Sequence, residues 1–190
     1  MFSRRDVLAK IAAAALVGPI GLDAAQHVHA TVGDDVAADG GVYHPKALNQ
    51  HEFDTLKRLC ELTVPGASRG AAAEFIDLLS SQNADLLAIY TGGLAWIDFA
   101  MKREYSVSFL PATAEQQTAM LDKIAYRRNQ TPELAAGIRF FDWVRRMTVD
   151  AYYTSAAGIK ELGYLGNTAV VNFKVPQDAI ESTLKKSGLG

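Results

Sequence analysis

Three helix-start signatures in one chain constrain its fold more than any other feature. Asn49-Gln-His-Glu52 places a capping Asn three residues before an acid, and Thr113-Ala-Glu-Gln116 is a full capping box. Thr131-Pro132 puts a capping Thr before a Pro at the first helical position. Each is followed by apolar residues at helical spacing. Phe53, Leu56, Leu59 and Cys60 predict a helix over 50–63, closed by Val64-Pro65-Gly66. Phe75, Ile76 and Leu79 predict a second over 71–79. Asn83 opens a third that runs to Met101 through Gly92-Gly93, where either a kink or the close approach of another backbone is expected. Met120, Leu121 and Ile124 mark a fourth after Thr113. The fifth, from Thr131, carries Leu134, Ile138, Phe141, Val144 and Val149 on one side and Phe140, Trp143, Met147, Tyr152 and Tyr153 on adjacent faces. A helix apolar over most of its circumference is central to a bundle or covered by a partner.

The expected fold is therefore all-α: a compact bundle of about five helices over residues 46–176, ending in an irregular Gly/Tyr-rich segment. That segment contains Gly158, then Gly163-Tyr164-Leu165-Gly166-Asn167, with a short extended piece over 168–173. The tail, 177–190, predicts a short helix over 178–186. Residues 31–45, rich in Gly, Ala and Asp, are expected to be a flexible linker.

With 190 residues and 49% hydrophobic content, the chain can bury a core without staples. A net charge of −2 gives no electrostatic footprint for a phosphate backbone, so nucleic acid is not an expected partner. The lone Cys60 rules out an intrachain disulfide, a Cys-based zinc site, a four-cysteine iron–sulfur cluster and a CxxCH haem attachment. Gly-rich phosphate loops and HExxH are absent from the sequence, and no Ser with a credible His partner can be placed. Cys60 reads as buried and inert. His44 and His51 read as exposed, Glu74 and Asp77 as solvent-facing helix carboxylates, and Arg127-Arg128 and Arg145-Arg146 as solvated faces. No catalytic, cofactor-binding or metal-ligating residue is assigned in this chain. A cleft lined by Trp96, Phe140 and Trp143 is the alternative, a small-molecule site on a free-standing periplasmic helical protein.

Residues 1–30 read as an export segment: a basic start, an apolar run from Ile11 to Leu22, and a small-residue cleavage site at Val28-His29-Ala30. Ser3-Arg4-Arg5-Asp6-Val7-Leu8 resembles the twin-arginine signal, with Arg4 and Arg5 as the pair and Val7 where Phe is common. That route carries folded proteins to the periplasmic side through the twin-arginine translocase. Ordinary secretion and a retained anchor are the alternatives, although the apolar run is short for a span of roughly 20 residues.

The tail carries a family resemblance. Tyr152-Tyr153-Thr-Ser155 followed by Gly163-Tyr-Leu-Gly166-Asn167 resembles the end of the gluconate 2-dehydrogenase subunit 3 family. Phe75-Ile76, Tyr90-Thr-Gly-Gly-Leu94 with Asp98, and Phe109 before the Gln-rich helix agree with it. The resemblance implies a non-catalytic small subunit without a cofactor of its own. Its partners would be a flavin-bearing catalytic subunit of the glucose-methanol-choline type, holding FAD, and often a multihaem cytochrome c. Such a subunit carries the export signal, helps its catalytic partner fold and cross the membrane, and stays membrane-associated through the other subunits. Tyr152, Tyr153, Gly163, Tyr164, Gly166 and Asn167 are then the expected docking surface. Two departures from the family are visible: Phe173 is the nearest aromatic where a Trp commonly follows Gly-Asn, and the stretch beyond Pro176 has no counterpart.

Overall fold

The computed structural model describes residues 3–163 and 175–188. Its elements are helical: α1 Arg4–Val17, α2 Leu22–Ala38, α3 Gln50–Thr63, α4 Ala72–Ser80, α5 Ala84–Tyr105, α6 Ala114–Ile124, α7 Ala135–Thr154, α8 Ala156–Glu161 and α9 Gln177–Ser187. Among the described residues there is no strand, and the α-helices number nine rather than about five. Beyond the expected five are α1 and α2 at the N-terminal end, the short α8 after α7, and α9, which matches the helix expected over 178–186.

Local chemistry sets the boundaries in the middle of the chain. Asn49 and Glu52 exchange the reciprocal capping bonds, as do Thr113 and Gln116. After Pro65 the chain turns through Gly66 at φ +88°, and Glu61 holds the turn by accepting from the Gly66 and Ser68 N–H groups at 2.6 and 3.2 Å. The Thr131-Pro132 signal starts a turn, not the helix itself. Leu134 N–H bonds to Thr131 Oγ1 at 3.3 Å, and α7 begins at Ala135.

α7 is the central post. It packs on α2, α3, α4, α5, α6 and α8, which accounts for the excess of apolar positions in its sequence. Val144, Met147, Ala151 and Tyr152 are fully buried against Leu56, Leu59, Phe75, Ile76 and Tyr90. By length and composition α5 could cross a membrane. It is nonetheless a core helix here, with Leu86, Tyr90, Leu94 and Ile97 buried and contacts to α3, α4 and α7.

The N-terminal region departs most from the sequence expectation. Thr31 to Ala38 are not linker: they continue α2 without a break, and Ala30 lies within that helix. Ala25, Val28 and Val32 form its buried stripe, and α1 buries Leu8, Ile11, Ala12 and Ala15. This hairpin packs on α4 and α7. Composition failed as a guide because the acids are neutralised from elsewhere in the chain, Asp34 by Arg4 at 3.4 Å and Asp35 by Lys46 at 2.7 Å. Arg146 of α7 donates to the Ala15 carbonyl at 2.6 Å, and Asp150 accepts from the Ile20 N–H at 3.4 Å.

Candidate partner interface

The expected docking residues separate into three groups. Tyr152 is fully buried and belongs to an internal joint. Its hydroxyl donates to Glu161 at 2.6 Å and accepts from Arg69 at 2.8 Å, while Arg69 and Glu161 pair at 3.1 Å. Small residues make room for it: a Cβ on Gly70 would lie 2.8 Å from the Tyr152 ring, and one on Gly158 would overlap the Tyr152 carbonyl. Tyr152 is therefore corrected from a surface residue to a buried tie joining α7 to α8 and to the turn that carries Arg69. Its spacing in a helix apolar all round gave no face to choose. Tyr153 is half-buried, edge-on to Tyr152 with centroids 5.1 Å apart. Gly163 is exposed, with φ +64° and open space where a side chain would project. Tyr164, Gly166 and Asn167 lie outside the described residues.

Of the two arginines expected to form an export signal, Arg4 is engaged, donating to the Thr31 side chain and carbonyl at 3.4 and 3.2 Å beside Asp34. Arg5 is exposed on the same helix.

Cys60 sits in the core with 2% of its surface exposed, and burial pushes its thiol up to about 12. His51 is less bland than its sequence suggests. It pairs with Asp98 at 2.5 Å, and Asp98 also accepts from the Phe109 N–H at 2.8 Å, fastening α3, α5 and the loop before α6 together. Asp77 is a correction too, since it is fully buried instead of solvent-facing. It accepts from the Tyr43 hydroxyl at 2.8 Å and from the N–H groups of Lys46, Ala47 and Leu48 at 2.7, 3.1 and 2.9 Å. Its position inside Phe75-Ile-Asp-Leu-Leu79 was the available signal: an acid in a continuous apolar run must find donors or not be buried. Among the described residues no group of three His, Cys, Asp or Glu side chains is placed to hold a metal ion.

Trp96, Phe140 and Trp143 do come together, but on an open surface. They line a cleft of about 340 Å³ between α5 and α7 with Ala88, Ile89, Gly92, Gly93, Ala136 and Arg139. Phe140 forms its floor, lying where a Cβ on Gly93 would be, and the Trp96 ring occupies the corresponding place at Gly137. The sequence expectation of close approach at Gly92-Gly93 is met at Gly93 by an aromatic ring rather than a backbone. Ala88, Gly92, Trp96 and Phe99 follow one stripe of α5, and Phe99 is 64% exposed. A second cleft of about 540 Å³ adjoins through Arg139 and Trp143, lined by Arg127, Arg145, Arg146, Asp142, Val149 and Asp150.

An all-helical module presenting an open apolar and cationic face has the design of a component that docks on another protein. Residues 50–171 match the sequence profile of gluconate 2-dehydrogenase subunit 3. The chain belongs to that family, whose name makes it an accessory subunit of a gluconate dehydrogenase complex. No curated protein and no solved structure matches the chain.

Proposed function

We propose that this chain is the non-catalytic accessory subunit of a flavin-dependent sugar, polyol or gluconate dehydrogenase. It binds the flavin-bearing catalytic subunit, assists its folding, and carries it to the periplasmic side through the twin-arginine translocase. In this reading FAD belongs to the catalytic subunit and haem to a cytochrome c subunit. The chain contributes no cofactor and remains membrane-associated through those partners. Family membership over 50–171 is the observation that carries the reading. Arg4 and Arg5 in a Ser-Arg-Arg segment supply the export half of it, and the exposed α5 stripe supplies a surface for a partner.

Tagged full-length chain, isolated from its native membrane fraction, tests this directly by its visible spectrum. Flavin absorbance should co-purify in fixed proportion to the chain, with haem bands where a cytochrome is present. Replacing Arg4 and Arg5 together by Lys should leave both proteins on the cytoplasmic side. A colourless monomer from every fraction would overturn the partner reading, and unaltered export of the double variant would overturn the route.

A further inference from the structure

Gly92 is the observation with no intramolecular explanation. It is exposed in the middle of a 22-residue helix, where glycine weakens the helix relative to alanine. Its neighbour Gly93 is required by the Phe140 ring, whereas nothing lies within 4 Å of the place a Gly92 side chain would occupy. Space kept open at that cost suits an external backbone that approaches closely. The surroundings fit such a visitor. Half-exposed Trp96, one turn along α5, and Trp143, from α7, line the cleft with Gly92, and large amphipathic rings of this kind anchor interfaces.

Charge narrows the visitor's chemistry. Arg139, shared by both clefts, makes no hydrogen bond or ion pair with any described residue. The adjoining cleft holds Arg127, Arg139, Arg145 and Arg146 against Asp142 and Asp150, a local excess of cations on a chain whose net charge is −2. Such a face repels its own copy and attracts an acidic one.

We propose that the α5/α7 cleft is the docking groove for a helix of the flavin-bearing dehydrogenase subunit. That helix packs an apolar face between Trp96 and Trp143, crosses closely at Gly92, and offers a carboxylate to Arg139. The proposal rests on the accessory-subunit reading and moves its contact surface from the C-terminal tyrosines to the groove.

The test uses the full chain in its complex, with a photo-crosslinking residue placed at Ala88 beside the groove or at Thr118 on the exposed face of α6. Gly92→Leu and Arg139→Glu are made in parallel, each checked by thermal melting of the isolated chain. The Ala88 probe should couple to an acidic helical peptide of the flavoprotein, and the Thr118 probe should not. Both substitutions should lower co-purified flavin at least tenfold while leaving the melting temperature of the isolated chain unchanged or raised. A yellow complex that survives both substitutions and crosslinks only elsewhere overturns the groove and leaves the accessory-subunit reading intact. Absence of any flavoprotein overturns both. A homodimer dispersed by Gly92→Leu replaces the dehydrogenase helix with a second copy and overturns the proposal as well.

Discussion

Tyr43 donates its hydroxyl to Asp77 Oδ2 at 2.8 Å, across 34 positions of sequence. The same carboxyl group takes the N–H groups of Lys46, Ala47 and Leu48, so a segment without helical bonds of its own is fixed onto α4. Hydrogen bonds to a charged group contribute about 1.5–3 kcal/mol each, and orphaned buried donors cost about 1–3 kcal/mol. Asp77→Ala should therefore destabilise the chain by about 3 kcal/mol or more, and Tyr43→Phe by about 1 kcal/mol, in urea unfolding. A loss under about 1 kcal/mol for Asp77→Ala would mean that the segment is held by other contacts.

Adjacent glycines should respond in opposite directions. A Cβ at Gly93 would overlap the Phe140 ring, so Gly93→Ala should cost about 1–3 kcal/mol through overpacking. Gly92→Ala meets open space and should stabilise the isolated chain by up to about 1 kcal/mol. Thermal melts of the two variants side by side decide this, and equal shifts would contradict the assigned roles.

Cys60 should be silent toward thiol reagents in the folded chain. Burial disfavours the thiolate that reacts, and the Thr148 hydroxyl, 3.3 Å from the sulfur, compensates only in part. Titration with a chromogenic disulfide should find no thiol under native conditions and one per chain in denaturant. Rapid native labelling would place the sulfur at the surface.

Acid should loosen the N-terminal hairpin through His29. Its ring lies 4.9 Å from Phe75 and 3.1 Å from the Thr154 hydroxyl, and burial holds its pKa below the ordinary 6.5. The unfolded chain then binds the proton more readily. Stability is full above 6.5 and falls as pH drops from there through the lowered folded value. Asp150, whose pKa burial raises above 3.8, acts oppositely, since its protonation relieves a buried charge. His29→Gln should flatten the loss of stability as pH falls below 6.5. An unchanged slope would assign the effect to another group.

Processing at Ala30 should depend on unfolding. The Ala30–Thr31 bond lies inside α2 with Thr31 and Val32 buried, whereas a peptidase needs an extended strand. The folded full-length chain should resist signal peptidase, with slow amide exchange across 28–36, and the urea-loosened chain should be cut. Prompt cleavage of the folded chain would show that the hairpin opens freely.

The sequence by itself determined the helical class, the middle helices and the caps at Asn49 and Thr113, because capping and periodicity are local and repeat within a few residues. It left open whether the apolar excess from Leu134 to Tyr153 made α7 central or partner-covered, which packing decided. It also carried the family, through short motifs that survive without coordinates. Tertiary structure alone decided which polar residues are spent inside. Asp77 and Tyr152 look like surface groups until Lys46–Leu48 and Arg69 arrive from far along the chain to satisfy them. The order of residues 31–38 came from the same source, since Arg4 and Lys46 neutralise Asp34 and Asp35 across gaps that no local pattern spans. The α5/α7 cleft is likewise a product of packing: Gly93 and Gly137 admit Phe140 and Trp96, while Gly92 stays bare on the cleft wall.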